Sequence, residues 1–378
     1  MDSAARRDAG GVSEGEGAVA LRLALTVERG RVVRLAVVPR VQPALERVLV
    51  GGSPEDVRQR VPMLYAVCRE SQRLAAALAL EAAAGEAGQT REAARTAVRL
   101  ECLREHLWRL AVRLPGLLGR ESAEARPAMA ALMALSRAPV AGRRALAREF
   151  HRQLVALLGT AGLATVAQAS AWLAASPASV PSALRTVRES LRDAGPARPD
   201  GVAALSAEEA LAVAERLEAR PALACRPVAM DARPRGTGPR ARLHDHPVVA
   251  WLAARGERGL AHLMAAVLEL LACAAFLAGR GDRPPKVGAG FAQQEAEGIG
   301  LGLVESPRGL LVHRVRQEAG RIVDYRLLAP TEWNFHPRGA IAELLLGQGE
   351  APGLTWQQRS ERFALALDPC VEVAIEVT

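Results

Sequence analysis

From Gly259 to Gly279 the chain is apolar on every side, broken only by His262 and Glu269. A helix that is hydrophobic all round is either the buried centre of a large bundle or a membrane span, and this run is long enough for both. A glutamate in the middle of a hydrocarbon layer is costly, so the segment reads as a buried helix and no membrane span is expected. A helix buried on all sides needs others packed around it. Half of the 378 residues are hydrophobic and only 3% are aromatic, with alanine and leucine dominant. That composition favours helices. At this length the core fills one large helical domain or more than one.

The fold class expected is mainly α with small β elements (α+β). Residues 1–17 read as a disordered tail and 18–378 as one domain. Within it, 18–60 hold a β-hairpin and short helices, 61–278 a helical core with a loop at 220–242, and 279–378 a mixed region. Ala18–Pro39 alternates apolar and polar residues around Arg29-Gly30, a hairpin signal. Ser53 precedes Pro54 as a cap for a helix to Leu64. Arg69–Ala84, Gly88–Leu114, Ala123–Leu158, Leu163–Ala175 and Pro247–Leu277 read as helical, with breaks within 123–158. Ser206 and Glu209 form a capping box. Leu310–Val315 and Arg321–Leu328 read as paired strands turning at Glu318–Gly320, followed by helices at Ala340–Leu346 and Thr355–Ala366 and a last strand at Val371–Val377.

The formal charge of +8 and pI near 10.1 would fit a nucleic-acid binder. The basic side is almost all arginine, Lys286 being the one lysine. Arginines interleave with glutamates, as in Arg91–Arg95 and Glu101–Glu105, the pattern of solvated helix faces. No stacking aromatics accompany them, so no nucleic-acid partner is expected. The charge leaves a modest preference for an acidic protein partner. The five cysteines (68, 102, 225, 273 and 370) are odd in number and widely spaced. That argues against a disulfide framework and for a reducing cytoplasm. Met1–Gly17 lacks the apolar run of a secretory signal.

Near the end of the sequence, Asp368-Pro369-Cys370 places a thiol on a stiff turn, with Pro369 expected to push Asp368 toward extended geometry. Read alone, Cys370 and Cys68 are packed core thiols, since free cysteine is among the most buried residue types. Three stretches change that reading: Glu305–His313 (ESPRGLLVH), Ala329–Gly339 (APTEWNFHPRG) and Ala366–Cys370 (ALDPC). In this order they resemble the carboxy-terminal third of the large subunit of nickel–iron hydrogenases. Pro62–Gln72 resembles that family's amino-terminal metal motif in degraded form, and Gly238–Arg242 with His246-Pro247 has a weaker counterpart. The resemblance is strong from about Gly298 to Cys370 and patchy between Gly88 and Arg220.

In that family four cysteines, in two Cys-x-x-Cys pairs, hold a nickel–iron centre. Here the first pair reads Tyr65 and Cys68, the second Cys370 and Val373, and the histidine closing the first motif is Gln72. Nickel in such a site needs a set of soft thiolates, so no nickel is expected. Two thiolates suffice for iron already carrying carbon monoxide and cyanide. The pattern resembles the HupK/HoxV type of hydrogenase expression/formation protein, a shortened large-subunit relative. It implies a non-catalytic scaffold for assembly or transfer of the Fe(CN)2CO fragment, with maturation chaperones and the immature large subunit as partners. The alternative is a degenerate large-subunit-like component of a redox or membrane complex.

By the same resemblance Cys68 and Cys370 are the metal ligands, Arg308 and Thr331 the donors to the cyanide ligands, and Asp368 the brace of Arg308. The chemistry fits: a cyanide nitrogen is a buried anionic acceptor that needs donors. Cys68 opens a helix, where a thiol pKa is lowered. Cys102, Cys225 and Cys273 read as core or loop residues. His313, Trp333, Asn334, His336 and Arg338 read as framework. His244 and His246 read as solvent or N-cap residues. Glu14, Glu16 and Glu28 lie near the hairpin where the family keeps a proton-relay glutamate, and none aligns. The histidine that marks carboxy-terminal processing in the family is also missing, so that step is not expected.

Overall fold

The expected hairpin forms from β1 (Ala20–Glu28) and β2 (Arg31–Val38) in the computed structural model, which describes residues 20–38, 45–65, 67–86, 92–192, 203–215 and 233–378. Its turn residues Arg29 and Gly30 both have positive φ, 49° and 68°. Two such residues in a row match the right-handed twist of the flanking strands. Leu21, Leu23 and Leu25 alternate onto one face and are buried in the main core. On its other edge β1 pairs in parallel with the last strand, Glu372–Val377. This pairing carries the segment just after Cys370 back to the hairpin.

A four-stranded sheet and the helix lying on it build the rest of the site's support. Strands β3 (Gly290–Ala296), β4 (Ile299–Ser306), β5 (Gly309–Glu318) and β6 (Arg321–Leu328) form an antiparallel sheet in sequence order, and the last strand is β7. Of the four-stranded sheet only β5 and β6 are expected from the sequence; β7 matches the expected last strand. β4 was illegible because glycine breaks its pattern at Gly300 and Gly302. The reason is tertiary: the Arg69–Ala83 helix lies directly on β4. A Cβ on Gly300 would sit 2.1 Å from the Ala79 carbonyl oxygen, and one on Gly302 would sit 2.1 Å from that of Ala75. Small residues on both sides let backbone approach backbone. Moving from Ala79 to Ala75 on the helix follows Gly300 to Gly302 on β4. The helix start at Cys68 therefore points toward the turn after Ser306.

The Arg258–Leu277 helix is the centre of the bundle, with every residue from Arg258 to Leu271 buried. The Glu92–Trp108, Val140–Leu158, Pro247–Ala254 and Trp356–Leu367 helices pack against it. Pro247–Leu277, expected as one helix, breaks at Gly256, whose φ is +70°. The stretch 123–158 divides at Ala138-Pro139 between the Arg126–Arg137 and Val140–Leu158 helices. Proline ends the first helix and begins the second. After Trp108 the helix widens into a π turn, Arg109–Arg113. The Ser53 cap forms, as a box with Asp56, and so does the Ser206–Glu209 capping box. The expected tail 1–17, most of the loop 220–242, Glu14, Glu16 and Cys225 lie outside the described residues.

Candidate functional site

Four distant segments deliver the expected residues to one place. Cys68 is the N-cap of the Arg69–Ala83 helix and is 9% exposed. Arg308 sits in the β4–β5 turn. Its Nη1 donates to Cys68 Sγ at 3.2 Å, its Nε to the Asp368 carbonyl at 2.9 Å, and its Nη2 to Glu105 Oε2 at 3.0 Å. Thr331 Oγ1 lies 3.2 Å from Cys370 Sγ. Asp368-Pro369-Cys370 links the two halves, and the Cys370 thiol is near enough to act electrostatically on both Cys68 and Arg308. The positions of the family's other two thiolates hold Tyr65, which caps the Pro54–Leu64 helix, and Val373, which pairs with Leu21.

The backbone at Asp368 departs from the expectation. It is left-handed, with φ 52° and ψ 66°, because it ends the Trp356–Leu367 helix and its N–H bonds the Ala364 carbonyl at 3.0 Å. Aspartate tolerates this region, a common helix stop, and the following proline disfavours only right-handed helix. Its side chain faces Arg308, Arg109 and Arg113, with N···O distances of 3.3, 3.9 and 3.6 Å. Burial pushes the Asp368 carboxyl up, and Arg308 and Arg109 outweigh it, so the group is held below its ordinary range. Arg109 and Arg113, the first and last residues of the π turn, both reach this carboxylate.

Cys68 also departs from the sequence reading. Burial drives its thiol well above the ordinary range, and the opposing Arg308 charge does not compensate. The helix start cannot help, because Glu101 has taken it. Glu101 Oε1 accepts from Glu70 N at 2.8 Å and Oε2 from Ser71 N at 3.1 Å. Glu101 is 2% exposed, and burial raises its carboxyl to about 7. In the stretch Glu101–Glu105, read as a solvated face, Glu101 and Glu105 instead line the site while Arg104 stays exposed. Charge alternation alone does not reveal which side of a helix faces in; Leu100, Cys102, Leu103 and Leu107 around the glutamates were the available signal.

A second buried network lies behind. Glu269 of the central helix receives Arg242 Nε at 2.7 Å and Nη2 at 2.6 Å, and His106 Nε2 at 2.9 Å. Cys102 Sγ donates to Glu269 Oε2 at 3.6 Å. Burial would raise Glu269, but Arg242 outweighs it and holds the carboxyl near 2. Burial lowers His106, yet Cys102 and Glu269 carry it up to about 9. The donor atoms of Cys102, His106 and Glu269 lie within 4.8 Å of one another. With Arg242 on both Glu269 oxygens, the charge is balanced without a cation.

The framework residues brace the Arg308 turn. Asn334 Oδ1 accepts from Thr237 N at 3.1 Å, and Thr237 Oγ1 accepts from Leu310 N at 2.8 Å. A Cβ on Gly238 would meet the Arg308 carbonyl oxygen at 2.7 Å. His313 Nε2 lies 2.7 Å from Gln72 Oε1 and Nδ1 2.5 Å from the Tyr325 hydroxyl. A carbonyl oxygen only accepts, so Nε2 carries the proton. Burial pushes His313 down to about 3, keeping it neutral. Trp333 and His336 are buried, and His336 Nδ1 accepts from Arg338 N at 3.0 Å. His246 caps the Pro247–Ala254 helix through Val248 N at 3.3 Å, and His244 Nδ1 lies 3.0 Å from the Ala241 carbonyl oxygen. Cys273 is fully buried in the central helix. Glu28 closes β1 opposite Arg31.

Comparison with known proteins identifies the family and the fold. Residues 284–351 match the model of the nickel-dependent hydrogenase family. The chain is 32% identical to the hydrogenase expression/formation protein HupK of Azotobacter vinelandii, over 89% of this chain and 91% of that protein. It is 30% identical to HupK of Rhizobium leguminosarum bv. viciae, over 96% and 97%. Its fold is that of the nickel–iron–selenium hydrogenase of D. vulgaris Hildenborough, at a TM-score of 0.59 and 16% identity, covering 91% of this chain and 94% of that one. The chain belongs to the HupK family of hydrogenase expression/formation proteins, built on the nickel–iron hydrogenase large-subunit fold.

Proposed function

We propose that this protein is a non-catalytic scaffold that receives, holds and gives up an iron fragment bearing cyanide and carbon monoxide during hydrogenase maturation. The observation that carries the reading is the meeting of Cys68 with Arg308, and of Cys370 with Thr331, each at 3.2 Å, from four separate segments. Two thiols, a guanidinium and a hydroxyl make up the donor set that such a cargo needs. The thiolates ligate iron; Arg308 and Thr331 donate to the cyanide nitrogens; carbon monoxide, a weak acceptor, needs no partner.

Burial keeps Cys68 protonated at rest. Loading therefore releases a proton, and reprotonation assists release. That suits a carrier more than a permanent centre. Tyr65 and Val373 at the remaining positions supply no thiolate for nickel. Maturation chaperones and the unprocessed large subunit are the partners this role requires, in a reducing cytoplasm that keeps both thiols free. Infrared spectra of anaerobically purified protein, with iron and nickel quantified, test the reading. Cyanide and carbonyl stretching bands with iron are expected. Their absence from protein isolated from hydrogenase-producing cells would refute it.

A further inference from the structure

Arg308 is engaged on every side by the protein itself. Its Nη2 bonds Glu105 Oε2 at 3.0 Å, while Asp368 Oδ2 lies 3.3 Å from the same nitrogen. That second contact lacks hydrogen-bond geometry: Asp368 Oδ2 is buried and has no hydrogen-bond partner. A buried carboxylate oxygen without a partner is costly, so Arg308 has a second position available close by. Glu105 has an alternative as well. Its Oε1 accepts from Arg104 Nε at 3.0 Å, and Arg104 is half exposed.

We propose that Glu105 is a releasable latch on Arg308. Glu105 occupies the guanidinium edge that an anionic ligand would use. When such a ligand enters, Glu105 passes to Arg104, and Arg308 Nη2 turns to Asp368 Oδ2 while presenting its freed edge to the ligand. Glu105 is thus a positioning residue that acts through Arg308 and sets how readily cargo leaves. The identity of the cargo rests on the scaffold reading; the latch rests on the four side chains.

Electrostatics sharpens the inference. An incoming anion beside Glu105 would meet like charge in a part-buried site, where screening is weak. Moving the carboxylate wholly to the exposed Arg104 relieves this but gives up one hydrogen bond to Arg308, which an exposed ion pair offsets only in small part. A site without Glu105 would bind anions more tightly and return them more slowly.

The test uses metal-free protein and sodium thiocyanate, a linear anion with a terminal nitrogen acceptor, followed by titration calorimetry. Glu105→Gln removes the charge, whereas Glu105→Asp keeps it but falls one carbon short of Arg308. Both variants are expected to bind thiocyanate roughly tenfold more tightly than wild type, the weight of one hydrogen bond to a charged group. A general field effect would tighten Glu105→Gln alone, so an unchanged Glu105→Asp overturns the latch. Weaker binding by both variants also overturns it, making Glu105 a support. Infrared bands of the cargo are read separately on protein from hydrogenase-producing cells. Their absence in wild type removes the scaffold reading while the thiocyanate result still decides the latch.

Discussion

Arg308 Nη1 and Cys68 Sγ meet at 3.2 Å although 240 residues separate them in the chain. The contact exists because the Arg69–Ala83 helix lies on β4 at backbone distance, with Cys68 at the end of one and Arg308 just past the end of the other. Under the proposed scaffold reading, a donor that bonds the thiol sulfur would face a ligand on iron held by that sulfur.

Purified anaerobic protein is expected to contain iron with little nickel. Cys68 and Cys370 stand at two of the four thiolate positions. Elemental analysis checks this, and near-equal nickel and iron would contradict it.

Cys68→Ala and Cys370→Ala are each expected to abolish bound iron and hydrogenase maturation. Cys273→Ala, in the buried face of the central helix, should leave iron unchanged and cost about 1 kcal/mol of stability through a small cavity. Iron content beside thermal unfolding separates the two effects; full iron in both motif variants would show that these thiols are not the ligands.

Gly302→Ala is expected to destabilise the protein by about 3 kcal/mol, the upper range for overpacking. The new Cβ would meet the Ala75 carbonyl oxygen at 2.1 Å, so the helix must lift from the sheet. Because the same helix carries Cys68, iron retention should fall with stability. Gly320→Ala, with nothing within 4 Å of its added Cβ, should lose only the modest energy of a positive-φ residue. Equal effects at both positions would argue against the close approach as the cause.

The His106–Glu269 pair makes stability depend on pH in both directions. Glu269 is depressed to about 2 from 4.5, so its contribution is present above the unfolded value and lost as pH falls through about 2. His106 is raised to about 9 from 6.5, so its contribution is full below 6.5 and lost as pH rises through about 9. Denaturant midpoints measured from pH 6 to 9.5 should fall in wild type more steeply than in His106→Gln. Parallel curves would assign the alkaline loss to another group.

Affinity capture from cells producing hydrogenase should recover maturation factors and the unprocessed large subunit. Stoichiometric recovery of the iron–sulfur small subunit without them would favour the redox-complex alternative.

Local chemistry was written plainly in the chain. The Arg29-Gly30 turn, the Ser53 and Ser206 caps and the apolar central helix follow from short-range signals, since backbone conformation, capping hydrogen bonds and periodic burial act within a few residues; the Arg308, Thr331, Asp368 and Cys370 motifs were legible through the family resemblance. Tertiary structure alone decided the rest. It made a strand of the glycine-broken segment from Ile299 to Ser306, because a helix backbone needed Gly300 and Gly302 there. It turned Glu101 and Glu105 inward, one to cap the helix that Cys68 opens and the other to hold Arg308. It raised the Cys68 thiol where its place at a helix start pointed the other way. Desolvation and ion pairing depend on which distant groups share a buried volume; the apolar neighbours Leu100, Leu103 and Leu107 record that a side of the helix faces inward, not which groups it meets there.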